Sequence, residues 1–336
     1  MMREAAALPV ANASQVDLNS ADFSCVVTSA ASSMTSMKPT PLGAATSLLR
    51  MPQANETEEL QLEVSMLLLG DIEAGRLDIP PLPRSAVELS RLVVSQKARL
   101  EDVVKLIERD VQLAGRVLKL ASSVAYGREK INDIRRAIVR VGMSGVRNIA
   151  LSVAVAKAFR AGPLEPYLKL ETRHAYVTAV GASWVAARIG AEPQHAFLCG
   201  LMHDVGCSAL LALVARRAVR DPSLLKLETV LPLLHQMHTD VGYAVLGHWG
   251  LQSSVRDVAQ MHHLAHRQTP PSAANQAVAL ADAVDELPVP EAKERVMMLL
   301  DHPVRHQVKL SEADVVKLIA VMEEASNDEA LHTLLG

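Results

Sequence analysis

Apolar residues recur at steps of three and four along most of this chain, and this periodicity constrains its fold more than any other feature. The pattern starts near Thr57 and continues through segments such as Leu100 to Ile107 and Val111 to Val124. Such spacing places apolar side chains on one face of an α-helix. No stretch alternates convincingly with a period of two, so no β-strand is predicted. The sequence therefore predicts an all-α protein built as a multi-helical bundle.

Proline and glycine separate many of the predicted helices. Pro80-Pro81-Leu82-Pro83 divides the first two, and Gly142, Gly190 and Gly250 stand where helices should end. The predicted helices cover residues 60–77, 86–94, 100–107, 111–124, 133–141, 144–161, 168–189, 194–215, 231–236, 241–249, 253–262 and 274–285. Aromatic residues make up only 3% of the chain, which also favours packed helices over a β-sandwich.

Changes in composition divide the chain into three parts. Residues 1–55 are rich in Ala, Ser, Thr and Met without sustained periodicity, so they are expected to form a disordered tail. Residues 57–286 form the main helical domain. After Leu287-Pro-Val-Pro290, residues 287–336 are expected to form two or three further helices, at 291–300, 312–325 and 328–335, packed on the same bundle.

Net charge, cysteine content and the length of apolar runs limit the partners and the cellular location that this chain is expected to have. The formal net charge of -3 shows no excess of Lys and Arg, so nucleic acid is not an expected partner. The three cysteines are too few and too irregularly spaced for a disulfide framework or a CxxC zinc site, which favours a reducing cytoplasm. No uninterrupted apolar run reaches the length of about 18 residues that a membrane span needs, and no signal peptide is evident. A cytoplasmic protein without membrane contact is predicted.

An adjacent histidine and aspartate stand inside an otherwise apolar helix, in Gly200-Leu-Met-His-Asp-Val-Gly206. Burying a carboxylate there costs several kcal/mol unless it meets a metal or a positive partner. An imidazole nitrogen beside a carboxylate oxygen suits Fe, Mn, Zn or Ni. His203 and Asp204 are therefore candidate ligands of a divalent metal.

Further candidate ligands lie on other predicted helices in a suggestive order. The predicted metal-binding set is His174, His203, Asp204, His238, His262, His263 and Asp282. One histidine on a helix is usually a core or surface residue, but this succession on separate helices is much less expected by chance. The remaining histidines are assigned to core or surface positions: His195, His235, His248, His266, His302, His306 and His332.

The order of these residues resembles the HD superfamily of metal-dependent phosphohydrolases, and the wider pattern resembles the HDOD domain, the HD-related output domain. The HDOD-like segments, which span residues 57–286, are Leu82-Pro83 before a helix, Ile107-Glu-Arg-Asp110 with Leu113 to Ser122, Ile134 to Gly142, Gly200 to Gly206, and His238 to Gly242 with His248-Trp249. The resemblance implies an HD-domain-like helical bundle and a regulatory output role in bacterial signal transduction.

Some positions depart from the HD-GYP branch, which hydrolyses cyclic di-GMP. Cys207 stands where those enzymes have a phosphate-contacting lysine, three positions after the aspartate, and Leu264 to Pro271 replaces their Gly-Tyr-Pro loop. HD-GYP enzymes with larger metal clusters commonly have an acidic residue four positions before the first histidine. That position is Leu170 in this chain, and Glu171 is one residue out of phase. Arg173 and Arg267 are the only basic residues near the candidate ligands in sequence, and both suit a solvated surface.

Two residues outside the ligand set have a structural interpretation. Cys207 lies eight residues after Cys199, on nearly the same side of a continuous helix, so it could approach the metal; buried cysteines more often behave as small apolar residues. Asp110 is expected to cap the helix that begins at Val111.

Two functional hypotheses follow. The first is a regulatory module that acts through a protein partner without catalysis and retains the metal pocket. The second is a metal-dependent phosphohydrolase acting on a nucleotide or cyclic dinucleotide, which would use the metal to activate water. Cys207 and the missing loop favour the first hypothesis, and the retained ligand set favours the second. A nucleotide is a candidate ligand under either hypothesis.

Overall fold

The computed structural model describes residues 79–94, 98–123, 126, 130–219, 225, 227–286, 292–328 and 331, together with Met66 and Gly70. Every regular element in this part of the chain is helical, which confirms the predicted all-α class. The predicted tail over residues 1–55, most of the predicted helix over residues 60–77, and nearly all of that over residues 328–335 lie outside the described residues.

Thirteen α-helices are defined in the described part of the chain. In order they are α1 (Arg84–Val94), α2 (Leu100–Glu108), α3 (Val111–Ala121), α4 (Ile134–Ala158), α5 (Glu165–Arg188), α6 (Pro193–Met202), α7 (Val205–Ala218), α8 (Leu227–His248), α9 (Ser253–Met261), α10 (Ala273–Glu286), α11 (Ala292–Leu300), α12 (Pro303–Val308) and α13 (Glu312–Ser326). Two short 3-10 helices, Gly162–Leu164 and His262–Arg267, precede α5 and α10.

Helices α1, α2 and α3 pack against α4. Asp110 accepts a hydrogen bond from the amide of Leu113 at 3.0 Å, so it caps α3 as predicted. Helix α4 changes direction at Gly142, whose φ of 75° suits glycine and divides the segment into the two predicted helices. In the second half of α4, residues 145–154 are buried except for Arg147, and they join these N-terminal helices to the rest of the core.

Helix α5 lies at the centre of the larger helical body. It contacts α6, α7, α10 and α13, while α7 packs along α8 and α8 packs on α9. Many of its buried residues are small, including Ala179, Gly181 and Ala182, and small side chains let helix backbones approach closely. Helices α11 and α13 contact each other, and both contact α10. The division of the chain at residue 286 stays a prediction.

The helix predicted over residues 194–215 is not continuous. It is interrupted at His203 and Asp204, where α6 ends and α7 begins, and the backbone of Asp204 leaves helical geometry at φ -108° and ψ 21°. The apolar periodicity on either side concealed this break. As a result, Cys199 and Cys207 lie on different helices, so the continuous helix that would have placed them on nearly the same side does not exist.

Two other helices differ from prediction. The segments predicted at 231–236 and 241–249 form one helix, α8, which tolerates Pro232 near its start. The short helix α12 was not predicted.

Two stretches, Ile134–Ala158 and Pro193–Ala218, are long and apolar enough to cross a membrane, although no uninterrupted apolar run was found there. Inside the fold, 61% and 78% of their apolar windows are buried. Core helices pass the same test, so these stretches are weak indicators of a span.

Candidate metal centre

The fold brings all seven predicted ligands to one place. His174 is on α5, His203 and Asp204 form the junction of α6 and α7, and His238 is on α8. The short 3-10 helix after α9 carries His262 and His263, and α10 carries Asp282. The break between α6 and α7 thus lies at the middle of the cluster.

The histidines form two groups on either side of Asp204. The first ligand group is His174, His203 and Asp282, and the second ligand group is His238, His262 and His263; in each group the ligand atoms lie within 4.8 Å of one another. Asp204 faces both. Its Oδ2 lies 3.4 Å from Nε2 of His203, and its Oδ1 lies 3.4 Å from Nε2 of His262. One carboxylate is therefore placed to bridge two cations.

Three of the five histidines, His203, His238 and His262, have Nδ1 occupied by a backbone carbonyl. Nδ1 of His203 lies 2.7 Å from the carbonyl oxygen of Gly200, and Nδ1 of His238 lies 2.8 Å from that of Leu234. His262 faces the carbonyl of Ala259 in the same way at 3.1 Å. A carbonyl can only accept, so each Nδ1 must donate, and in the neutral ring each Nε2 then directs a lone pair toward the centre. Metal-binding histidines are oriented by such partners.

Several atoms at the centre lack a suitable partner. Nε2 of His174 lies 3.2 Å from Nε2 of His203, and Nε2 of His238 lies 3.0 Å from Nε2 of His263. Two unprotonated nitrogens at these distances repel each other, so each pair needs a proton or a cation between them. In addition, Nε2 of His262 and Oδ1 of Asp204 are buried without a hydrogen bond. This donor set fits a divalent metal.

Nearby carboxylates make the first ligand group basic. Burial lowers the pKa of His174, but Asp282 and Asp285 outweigh that effect and raise it well above the usual value. For His203, burial again opposes protonation, yet Asp204 and Asp282 raise its pKa to about 9. In the absence of a metal, protons therefore occupy this group at neutral pH.

The second ligand group behaves in the opposite way. Burial, together with the adjacent His263, lowers the pKa of His262 well below its usual value, and burial also lowers the pKa of His263. These two rings are neutral at physiological pH. A neutral imidazole is the form that binds metals, so these two rings can accept a cation without first losing a proton.

We expect the chelator-treated protein to lose stability as the pH rises from about 6.5 to about 9. The pKa of His203 is about 9 in the folded chain against a usual 6.5, so the folded state holds the extra proton in this window. Its contribution is complete below pH 6.5 and is lost as the pH rises through 9. Each such proton changes the free energy of unfolding by up to about 1.4 kcal/mol per pH unit. Thermal melts across this range measure the effect.

Saturating divalent metal should weaken this pH dependence, because the metal replaces the protons that unfolding would release. Metal titrations in buffers of different ionisation enthalpy should also show proton release near neutral pH. Melting temperatures that stay constant across the window after chelation would contradict the expected protonation of His203.

The structure adds acidic residues that the sequence argument did not select. Asp285 lies 2.9 Å from Nδ1 of His174 and orients that ring, as the carbonyls do for the others. Glu286 lies with His263 and Asp282 in a further cluster of ligand atoms within 4.8 Å. A signal was available, because Asp282, Asp285 and Glu286 are spaced three and four residues apart on α10 and therefore share one face.

Glu171 also belongs to this environment, although its position relative to the HD-GYP pattern placed it out of phase. It precedes His174 by three residues on α5, and residues three apart share a helix face just as residues four apart do. Burial and the charge of Asp204 raise its pKa to about 7. Cys207 lies beside it, and burial together with Glu171 raises the pKa of the thiol well above its usual value.

The two basic residues near the ligands in sequence have different roles. Arg173 lies 3.2 Å from Oδ2 of Asp285 and donates a hydrogen bond to Ser326, so it balances the carboxylate behind His174. This contact corrects the expectation that its side chain is simply solvated. Arg267 is exposed and donates a hydrogen bond to the neighbouring His266.

Comparison with known proteins agrees with this geometry. Residues 79–265, more than half of the chain, match the HDOD domain family. The chain belongs to the HDOD family. The match confirms the resemblance seen in the sequence, and the matched range lies within the predicted domain over residues 57–286. It also identifies the helical body as an HD-related signalling module.

A bacterial relative is similar in sequence to more than half of this chain. An uncharacterised protein of Treponema pallidum (strain Nichols) is 29% identical over 214 residues, which are 61% of this chain and 41% of that protein. The chain thus matches about two fifths of that relative's length.

Two solved structures share the fold at low sequence identity. A candidate metal-dependent phosphohydrolase of Shewanella amazonensis SB2B has a TM-score of 0.64 at 20% identity and covers 80% of this chain and 99% of its own. An HDOD domain protein of unknown function from Geobacter sulfurreducens has a TM-score of 0.56 at 21% identity, covering 81% of this chain and 98% of its own.

Proposed function

We propose that this HDOD protein is a regulatory output module of bacterial signal transduction that binds divalent metal and acts on a protein partner, not on a phosphoester. The observation that carries the proposal is the number of carboxyl groups around the centre. Beyond the ligands themselves, Glu171, Asp285 and Glu286 all stand close to it, and Cys207 occupies the place of a lysine. Such surroundings favour cations and disfavour phosphate.

Phosphoryl transfer requires positive groups that balance charge in the transition state. Arg173 is engaged with Asp285 and Ser326, so it compensates a carboxylate instead of facing the centre. Arg267 contacts His266 on the surface. Both of these arginines are committed elsewhere, so neither supplies positive charge to an anionic substrate at the centre.

The donor set also limits the metal. Imidazole nitrogens and carboxylate oxygens suit Fe, Mn, Zn or Ni, whereas an all-oxygen set would suit Mg or Ca. The first ligand group has two histidines with Asp282, and the second has three histidines. The inward direction of Nε2 on His203, His238 and His262 supports metal binding over a purely structural hydrogen-bond network.

A metal-dependent phosphohydrolase acting on a nucleotide or cyclic dinucleotide is the second candidate. One observation favours it: Asp204 faces both ligand groups, an arrangement suited to a pair of metals. A metal pair supplies an activated water and stabilises a leaving oxygen. In this chain, Asp204 would hold the two groups at a fixed separation, and the half-exposed His263 would lie at the open side.

The two candidates differ in turnover. We expect the purified protein to bind Mn, Fe or Zn and yet to hydrolyse cyclic di-GMP and simple phosphodiesters far more slowly than about 1 per second, a rate typical of enzymes. Metal analysis combined with chromatography of the nucleotide products tests this. Metal-dependent turnover at an enzymatic rate that disappears in Asp204→Ala would establish the hydrolase instead.

Action on a partner can be tested separately from metal binding. The metal-loaded chain and the Asp204→Ala variant would be compared as baits in cross-linking with signalling proteins from the source bacterium. Partners bound in proportion to metal occupancy would support a regulatory module whose surface depends on the centre. Cytoplasmic location and a nucleotide ligand remain predictions of the same proposal.

A further inference from the structure

A third cluster of ligand atoms lies beside the two ligand groups and shares Asp204 with them. It consists of Glu171 on α5, Asp204, and Cys207 in the first turn of α7, and one ligand atom from each lies within 4.8 Å of the others. Cys207 belongs to this cluster because it lies close to Glu171 on α5, whatever its position relative to Cys199. The proposed metal centre uses neither Glu171 nor Cys207.

The chemistry of this cluster favours a cation. Two carboxylates and a thiol approach one another in a largely buried place, where like charges repel strongly. Asp204 places Oδ2 near His203 and Oδ1 near His262, so an ion in this cluster would share one of these oxygens with a ligand group. A single ion at this point would relieve the repulsion between Glu171 and Asp204 and would take the thiol as a ligand.

The cluster also has access to solvent. Glu171 and Asp204 line a small cleft between the second half of α4, α5 and the start of α7, whose other walls are mostly apolar and do not include Cys207. The cleft offers a path for an ion to the two carboxylates, and a water there would complete the coordination of an ion held by three protein ligands.

We propose that Glu171, Asp204 and Cys207 bind a further divalent cation of the thiophilic class, such as Zn²⁺ or Co²⁺, adjacent to the centre. This inference rests on the proposed metal centre, because Asp204 is shared. On binding, the thiol of Cys207 releases its proton to solvent and the thiolate sulfur bonds to the metal. Mn²⁺, which prefers oxygen and nitrogen ligands, should fill the two ligand groups and leave this site empty.

Cobalt(II) titration of the full chain tests the proposal, since a thiolate ligand produces intense charge-transfer absorption in the near ultraviolet, whereas imidazole and carboxylate ligands produce only weak visible bands. We expect the intense absorption in the unaltered protein and its complete loss in Cys207→Ser. Bound cobalt should fall by about one ion per chain in that variant. Glu171→Gln should weaken cobalt binding at the same site.

Cys199 supplies the matched control. It is also a buried cysteine one helix away, but its sulfur faces His195 at 3.6 Å and not the cluster. The double variant Cys25→Ser with Cys199→Ser leaves Cys207 as the remaining cysteine of the chain. It should keep the full charge-transfer absorption, which identifies the ligand even if Cys207→Ser fails to fold.

The outcomes separate this site from the centre. If cobalt raises the melting temperature and gives weak visible bands without thiolate absorption, the further site is wrong while the metal centre stands. If cobalt neither stabilises the chain nor produces any band, both proposals fail. Thiolate absorption that disappears from the double variant would assign the sulfur to another cysteine and overturn the site.

Discussion

Gly206→Ala is expected to destabilise the protein by about 3 kcal/mol or more, at the upper end of what overpacking usually costs. A Cβ at this position would lie 1.9 Å from the carbonyl oxygen of His238 and 2.7 Å from the amide nitrogen of Gly242. Both neighbours are backbone atoms of α8, so no side chain can turn aside. Helices α7 and α8 would have to separate. Chemical denaturation measures the loss.

Gly242→Ala on the facing helix provides the control for this prediction. A Cβ there would lie 3.5 Å from the nitrogen of Gly206 and 3.7 Å from Cβ of Ala259, which is ordinary contact. Its cost should stay within about 1 kcal/mol, since alanine also has the higher helix propensity. Equal losses in the two variants would show that α7 and α8 are not packed as described.

Gly206→Ala should also impair metal binding. Asp204 lies two residues before Gly206, and the displaced carbonyl belongs to His238, a member of the second ligand group. Moving α8 away from α7 would lengthen the separation of 3.6 Å between Asp204 Oδ1 and Nε2 of His238. Gly206→Ala should therefore show weaker metal-induced stabilisation even in the fraction that folds.

Local sequence signals determined much of the fold. The apolar periodicity of α2 and α3 predicted their starts at Leu100 and Val111, because each helix buries one face. The glycine at 142 predicted the change of direction within α4. In contrast, the periodicity of α6 and α7 was unable to reveal their break, since both sides are apolar and nearly every position is buried there.

The sequence predicted which residues come together at the site, but not how they are arranged there. The order of histidines and aspartates along the chain selected seven residues that the fold brings together. Their division into two groups around Asp204 depends on how α5, α8 and α10 cross, which no short sequence window contains. The outer carboxylates were missed because they contact the ligands through tertiary packing, as Asp285 contacts His174.

Asp204→Ala is expected to abolish stabilisation of the protein by metal. If metal binds only the folded chain, a concentration a hundred times the dissociation constant adds about 2.7 kcal/mol, which corresponds to a rise of roughly 5 to 10 °C in melting temperature. Asp204 lies 3.4 Å from Nε2 of both His203 and His262, so its removal takes a ligand from both groups at once. Melts with and without Mn²⁺ or Fe²⁺ measure the change.

The stability of Asp204→Ala measured without metal shows whether Asp204 is a metal ligand or one half of a structural His–Asp pair. His203 keeps Asp282 at 3.3 Å when Asp204 is removed, so its proton retains a partner and the loss should stay below about 3 kcal/mol. Asp240→Ala, an exposed aspartate on α8, should leave both the stability and the metal response unchanged. A loss of about 3 to 5 kcal/mol in Asp204→Ala, with no metal response in the unaltered chain, would mean that the cluster is a buried ion-pair network. The chain would then share the fold of HD proteins without their metal binding.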